Sequence, residues 1–220
     1  VDPKEIKKRM DFRDIFTLTI DPLDARDFDD ALSVQKINDD EWEIGVHIAD
    51  VSYYVQLNSA LDKEARKRGN STYLVGEVVP MLPQSLSNGI CSLVEGQDRL
   101  VKSVLFRFRN DGKMVSSKLA ECVINSNKRL TYEQAILFLR GNRLESIKEA
   151  KPPYSRYSGN PGKPLQEVSS DELKQINQII QRLWSIASKL RTERMRAGSL
   201  NLESAEIKIL VDSKGEPEKI

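Results

Sequence analysis

The sequence is poor in the residues that hydrolases use for covalent or zinc-dependent chemistry. It has one histidine, His47, and two cysteines, Cys91 and Cys122. A lone histidine within a strand is usually a packed residue, so we interpret His47 as structural. With no other histidine present, histidine-dependent hydrolysis of the serine or cysteine type is nearly excluded. The shortage of nitrogen and sulfur ligands argues against a zinc site. The two cysteines fit reduced thiols in a cytosolic protein, with a disulfide as the open alternative.

Long apolar runs and a large net charge are missing as well. No stretch approaches the roughly 18 consecutive apolar residues of a membrane span, and no signal peptide is recognisable, so we expect a soluble, cytoplasmic protein. With 34 Lys and Arg against 33 Asp and Glu, bulk charge does not indicate a nucleic-acid binder. A chain of 220 residues with 39% hydrophobic content can bury a core, as one large or two small domains.

Aspartate, in contrast, is concentrated in one short stretch. Residues 21–30 contain five aspartates, Asp21, Asp24, Asp27, Asp29 and Asp30. Apolar residues alternate on both sides of this stretch, which predicts strands at residues 16–20 and 31–37. The acids therefore lie on the short connection between the ends of two strands, where their side chains can converge.

Converging carboxylates need a physical explanation. Two of them about 4 Å apart repel by roughly 4 kcal/mol at an effective dielectric constant near 20, so they must face water, share protons or hold a cation. The simplest interpretation is a solvated acidic turn, but the apolar flanks and Phe28 make complete solvation harder to arrange. Ligands that are all oxygen suit Mg²⁺ or Mn²⁺, and Ca²⁺ is a further alternative. An EF-hand loop starting at Asp27 fails, because it would place Leu32 at the glycine position and Asn38 at the glutamate position.

Period-two alternation predicts further strands, and helical periodicity predicts three helices. The predicted additional strands cover residues 42–51, 100–110, 114–124, 199–202 and 207–211. Hairpin turns are expected at residues 38–40 and 111–112. Helices are expected at residues 59–68, from the capping box that starts at Thr131 to Gly141, and at residues 170–196. The last has two seven-residue series, Leu173, Ile180, Ala187 and Ile176, Leu183, Leu190, which favour a helix packed on a sheet. Residues 77–93 read as a rigid connector with a turn.

The first predicted helix has a basic surface. Its basic side chains are Lys63, Arg66, Lys67 and Arg68. They form either a solvated face or a phosphate-binding face, and the sequence leaves both open. Tyr73 follows them, and an aromatic residue beside basic ones is typical of single-stranded nucleic acid binding, although a tyrosine taken alone is more often part of a core.

The aspartate stretch resembles a known family signature. Residues 19–31 read Thr-Ile-Asp-Pro-Leu-Asp-Ala-Arg-Asp-Phe-Asp-Asp-Ala, which is similar to the signature of the RNB catalytic domain of ribonuclease II and ribonuclease R. Further blocks in the family's order lie at residues 47–55, 60–65, 79–93 and 196–206. Within the family, these blocks look most similar to the bacterial ribonuclease R branch.

The resemblance implies an α+β fold with mixed and antiparallel sheets and packed helices. It identifies residues 1–220 as the N-terminal part of an RNB domain that is cut short. Its parts would be a leading segment at 1–13, a loop at 150–169, a long core helix at 170–197 and the start of a strand region at 199–220. The family's later glutamate and arginine would lie outside this sequence. Leu202 stands where many relatives carry a phenylalanine that clamps terminal bases.

The resemblance also implies a chemistry, a Mg²⁺-dependent 3′→5′ exoribonuclease that releases nucleoside 5′-monophosphates from single-stranded RNA. Asp21, Asp27 and Asp30 would bind one or two Mg²⁺ ions, with Mn²⁺ as a substitute, and Asp29 would serve the cleavage step. Tyr73 and Tyr132 would contact RNA near its 3′ end. We expect no DNA or membrane partner and a monomer. The rival interpretation is a catalytically silent RNA-binding or scaffold fragment, and cleavage by this chain alone is expected to be weak.

Overall fold

The computed structural model of the protein describes residues 1–74, 77–141, 143–149, 162–202, 210–211 and 217–219. Its strands are β1 Met10–Asp11, β2 Thr17–Asp21, β3 Asp30–Lys36, β4 Glu41–Ala49, β5 Thr72–Leu74, β6 Glu77–Val79, β7 Asp98–Arg109, β8 Met114–Asn125, β9 Lys128–Thr131, β10 Leu210–Val211 and β11 Pro217–Lys219. Its α-helices are α1 Pro3–Ile6, α2 Val51–Tyr54, α3 Ala60–Arg68, α4 Tyr132–Leu139, α5 Leu144–Glu149 and α6 Ser170–Arg196. None of the helices in these ranges combines the length and apolar character needed to cross a membrane.

Within the described ranges, seven strands form one sheet in the order β1-β8-β7-β4-β3-β2-β9. Only the two outer pairs, β1 with β8 and β2 with β9, are parallel, and the inner pairs are antiparallel. Helices α4, α5 and α6 cluster with one face of this sheet. The predicted α+β class with a largely antiparallel sheet is therefore confirmed.

The two faces of the sheet carry separate hydrophobic cores. Successive residues of a strand point to opposite faces, and the neighbours Ala31 and Leu32 belong to different clusters. One core contains Phe28 and Leu93, both about 1% exposed. The other packs α4 and α6 against the opposite face around Leu18 and Phe138, which are fully buried. Phe28 thus anchors the aspartate stretch in the first core.

Helix α6 buries the first three residues of its two seven-residue series, Leu173, Ile176 and Ile180, as predicted, whereas the later ones, Ala187 and Leu190, are exposed. The buried side chains are Leu173, Ile176, Ile179, Ile180 and Ile186. Leu190, which belongs to the predicted series, is 38% exposed. Beyond Ile180 the helix is buried at Ile186, which packs with Ile44 and Phe108 of the sheet.

Two local predictions differ from the structure. The predicted connector at residues 77–93 contains strand β6, which pairs with β5, and a π-helical segment at Ser85–Ile90. The predicted strand at residues 199–202 is wrong, because these residues form no strand and Leu200 and Leu202 are 82% and 87% exposed. A strand needs a partner for its backbone hydrogen bonds, which alternation in the sequence cannot supply. The strand predicted at 207–211 lies mostly outside the described residues, although β10 covers its end.

His47 is a structural residue, as predicted. It is fully buried on β4, where its Nε2 and Nδ1 lie 2.9 Å and 2.8 Å from the hydroxyl groups of Ser33 and Ser103. Gly45 leaves space for the ring, since a Cβ at that position would lie 2.5 Å from Nε2. Burial disfavours the charged imidazolium and lowers the pKa of His47 to about 4.

Candidate active site at the aspartate loop

The sheet topology places the aspartates at one edge. Strand β2 ends at Asp21 and its antiparallel neighbour β3 begins at Asp30, so residues 22–29 form a loop between two strand ends. On its other side, β2 runs parallel to β9, with Asp21 opposite Thr131. The carboxyl ends of two neighbouring strands therefore meet beside the loop, and helix α4 begins there.

Phe28 fixes the acidic end of the loop. Its ring is buried, its backbone N–H donates to the hydroxyl of Ser92 at 2.9 Å, and its carbonyl accepts from the N–H of Leu93 at 2.8 Å. The side chains on either side then point away from the core, so that Asp27 is half-buried and Asp29 reaches solvent. The placement of one aromatic residue within the acidic run thus turns its neighbours toward the open edge.

Asp21 is the most strongly perturbed acid of the loop. It is only 8% exposed, and burial raises its pKa to about 6. The nearby Thr19 hydroxyl and the guanidinium of Arg129 oppose this shift, whereas Asp30 and Asp29 add to it. Neither Thr19 Oγ1 nor Asp21 Oδ2 has a hydrogen-bond partner of good geometry, so the influence of Thr19 reflects proximity alone.

Asp29 is perturbed in the same direction. Desolvation by the surrounding protein, followed by the charges of Asp27 and Asp30, raises the pKa of Asp29. Part of its surface reaches solvent, which screens these interactions, so we take only the direction of the shift. The four acids of the predicted site therefore interact electrostatically. Asp21 interacts with Asp29 and Asp30, and Asp29 interacts with Asp27 and Asp30.

The carboxylates share an electrostatic environment without forming a closed coordination shell. In the described part of the chain, no three His, Cys, Asp or Glu side chains converge closely enough to hold a metal ion by themselves. Mg²⁺ is usually held by one or two carboxylates and completed by waters and substrate phosphates. A buried carboxylate oxygen without a donor, Asp21 Oδ2, beside further acids fits such an open site. The oxygen-only donor set suits Mg²⁺ or Mn²⁺.

Two residues that the sequence did not single out complete the surroundings of Asp21. Thr19 of β2 pairs with Arg129 of β9. This pair lies two residues before the pair formed by Asp21 and Thr131. Paired residues point to the same face of a sheet. Arg129 Nε, Thr19 Oγ1 and Asp21 Oδ2 are all buried without a hydrogen-bond partner. No sequence signal distinguishes Arg129 from other basic residues, because the β2–β9 pairing joins segments about a hundred residues apart.

The two tyrosines lie in different surroundings. Tyr132 is the first residue of α4, directly after Thr131 at the edge that carries Asp21, and is 52% exposed. The capping box predicted from Thr131 and Gln134 is present. Tyr73 lies on the small β5–β6 sheet and is 70% exposed, which rules out the interpretation as a core residue. Both rings are free to stack on a flat ligand.

The basic helix α3 offers fewer free charges than its sequence indicates. Arg66 and Arg68 form ion pairs with Asp62 and Glu64 one turn earlier in the helix. Arg68 also donates to the carbonyl of Pro80, which ties α3 to the end of β6. Both arginines remain exposed, as do Lys63 and Lys67, so the solvated and the phosphate-binding interpretations of this face both stay open.

Fold and loop together define an α+β domain with a cluster of mutually interacting carboxylates at one sheet edge. A sequence profile described as RNB domain matches residues 9–220, so the chain belongs to the RNB domain family. It is 42% identical to ribonuclease R of Thermotoga maritima over 214 residues, which is 97% of this chain and 27% of that protein. The chain thus spans about a quarter of the length of such relatives.

Solved structures show the same fold. RNase R of Mycoplasma genitalium in complex with double-stranded RNA superposes with a TM-score of 0.81 at 29% identity, covering 100% of this chain and 35% of that one. The same enzyme with ribose-methylated single-stranded RNA gives a TM-score of 0.80 at 29% identity, covering 100% of this chain and 30% of that one. The family resemblance seen in the sequence is therefore confirmed over essentially the whole chain.

Proposed function

We propose that the protein is a Mg²⁺-dependent 3′→5′ exoribonuclease that hydrolyses single-stranded RNA to nucleoside 5′-monophosphates. The observation that carries this proposal is the buried, unpartnered oxygen of Asp21 beside Asp29 and Asp30, in a chain of the RNB family. Relatives named ribonuclease R and RNase R structures that contain RNA support the substrate class.

In this proposal each aspartate has a separate task. Asp21, Asp27 and Asp30 would hold one or two Mg²⁺ ions, with Mn²⁺ as a substitute. A bound ion would stabilise charge on the phosphate and lower the pKa of a water molecule. Asp29 would orient the attacking water and accept its proton. Its raised pKa suits it to that task, because a base works best when its pKa lies closer to the working pH.

The proposal also assigns the RNA contacts. Tyr73 would stack on a base near the 3′ end, and Tyr132 would contact the strand near the scissile bond, since Tyr132 lies at the edge of the sheet that carries Asp21. Stacking and phosphate contacts do not depend on which base is present, which fits degradation without sequence choice. We further propose a cytoplasmic monomer that does not degrade DNA.

The direct test uses the full-length protein with 5′-labelled poly(A) in Mg²⁺ and in EDTA. We expect a ladder that shortens from the 3′ end, nucleoside 5′-monophosphate products on chromatography, and no shortening in EDTA or of poly(dA). Binding to poly(A) without shortening in Mg²⁺ would instead support the silent RNA-binding alternative. The observation in favour of that alternative is that no closed three-ligand group exists among the described residues. We expect the 220-residue chain alone to cleave RNA weakly.

Replacing Tyr73 with alanine tests the proposed stacking. Loss of one stacked base amounts to about 1–3 kcal/mol, so the Kd for oligo(A) should rise roughly 5- to 150-fold. Tyr73→Phe is the matched control, because it keeps the ring and should bind within about twofold of the wild type. Fluorescence anisotropy measures both. Equal binding by the alanine and wild-type proteins would remove Tyr73 from the RNA site.

A further inference from the structure

Arg129 contacts both ends of the aspartate loop. Its Nη2 donates to the carbonyl oxygens of Pro22 at 2.7 Å and Leu23 at 3.2 Å, the two residues that follow Asp21. Its guanidinium carbon lies 5.5 Å from the centre of the ring of Phe28, the residue that stands between Asp27 and Asp29 in the sequence. A single side chain therefore joins the segment after Asp21 to the residue that orients the remaining acids.

The base of this side chain is held rigidly. The backbone N–H of Arg129 donates to Glu95 Oε2 at 2.9 Å, and the same oxygen accepts from the buried ammonium of Lys128 at 2.8 Å. Strand β9 also pairs with β2, with Arg129 opposite Thr19. Arg129 itself is 2% exposed. A guanidinium fixed in this way can determine the path of a loop, whereas a solvent-exposed arginine would follow it.

The charge of Arg129 leaves Asp21 available. Asp21 is its strongest charged partner, yet Asp21 Oδ2 accepts no hydrogen bond and Arg129 Nε donates none. Nη2 of Arg129 is directed at the two backbone carbonyls, and the guanidinium lies over the aromatic face of Phe28. An arginine that neutralised the carboxylate directly would compete with a divalent cation, whereas this one positions the loop and leaves the buried oxygen free.

We propose that Arg129 is the positioning residue that sets the spacing of Asp21 relative to Asp27, Asp29 and Asp30, and thereby the affinity of the loop for a divalent cation. This inference rests on the proposed function. Groups that orient metal ligands without touching the metal typically change metal affinity or activity by about 10- to 100-fold. Arg129 is expected to act through kcat, because it contacts the acidic loop and neither of the proposed stacking tyrosines.

The test compares Arg129→Met and Arg129→Lys with the wild-type full-length protein. Mn²⁺ titration followed by electron paramagnetic resonance reports cation binding in the absence of RNA, and steady-state poly(A) degradation gives kcat and KM. We expect Arg129→Met to bind Mn²⁺ about 10- to 100-fold more weakly, with kcat reduced and KM nearly unchanged. Arg129→Lys should fall in between, about threefold or more below the wild type, because one ammonium cannot reproduce the planar fork.

Arg26→Met is the matched control. Arg26 lies on the same loop but is exposed, whereas Arg129 is buried. The Arg26→Met variant should bind Mn²⁺ with the affinity of the wild type. If Arg129→Met fails to fold, as urea unfolding would show, Arg129→Lys decides the question. Wild-type Mn²⁺ affinity and kcat in a folded Arg129 variant overturn the positioning role alone. A wild-type protein that neither binds Mn²⁺ nor degrades RNA overturns the proposed function instead.

Discussion

Replacing Asp29 with asparagine is expected to reduce RNA cleavage by about 10²- to 10⁴-fold, the usual contribution of a general base, while RNA binding stays within about twofold. Asparagine keeps the size of the side chain but cannot accept a proton. The surroundings suit this residue to the task, because desolvation and the charges of Asp27 and Asp30 raise its pKa and it reaches solvent, whereas the more strongly perturbed Asp21 is buried. The fold should survive, since Phe28 and not Asp29 anchors the loop in the core.

Single-turnover degradation of 5′-labelled poly(A) measures the cleavage step, and anisotropy with the same RNA measures binding. Asp40→Asn is the control, because Asp40 is an exposed aspartate in the turn between β3 and β4. It should cleave at the wild-type rate. Retained cleavage by Asp29→Asn with unchanged RNA binding would contradict the assignment of Asp29 and leave the other three acids as the remaining candidates.

Local features of the site could be predicted from the sequence. The strands on either side of the loop were predictable, because alternating apolar residues mark a strand with one buried face. The capping box at Thr131 and Gln134 predicted where α4 begins, and Ser59 and Gly69 bound α3 as expected. These signals depend on residues within about four positions of one another, so the sequence carries them directly.

Features that depend on distant pairing could not be predicted. The parallel pairing of β2 with β9 brings Arg129 beside Asp21, and nothing in the sequence near either residue indicates it. The same holds for Glu95, which accepts hydrogen bonds from Lys128 and the backbone of Arg129. The positioning of the acids therefore depends on residues that appear ordinary in the sequence and become important only in the folded protein.

Lowering the pH from 7 to 4 is expected to destabilise the protein through His47. The ordinary pKa of histidine is about 6.5, whereas burial lowers the pKa of His47 in the folded protein to about 4. Between these values the unfolded chain binds a proton that the folded chain does not. The free energy of unfolding therefore falls as the pH drops from about 6.5 to 4, by at most about 3 kcal/mol. Above about pH 6.5 the imidazole is neutral in both states, so His47 adds no pH dependence.

Urea unfolding at pH 7, 6, 5 and 4, without divalent cations, measures this effect in the wild type and in His47→Gln. The variant should be less stable at pH 7, because glutamine cannot bridge the hydroxyl groups of Ser33 and Ser103 in the same way. It should, however, lose less stability on acidification. Carboxylates also titrate in this range, and the raised pKa of Asp21 acts in the opposite direction, but both proteins share these groups. Parallel pH profiles would therefore show that His47 is protonated in the fold as readily as in the unfolded chain, contrary to its burial between two serines.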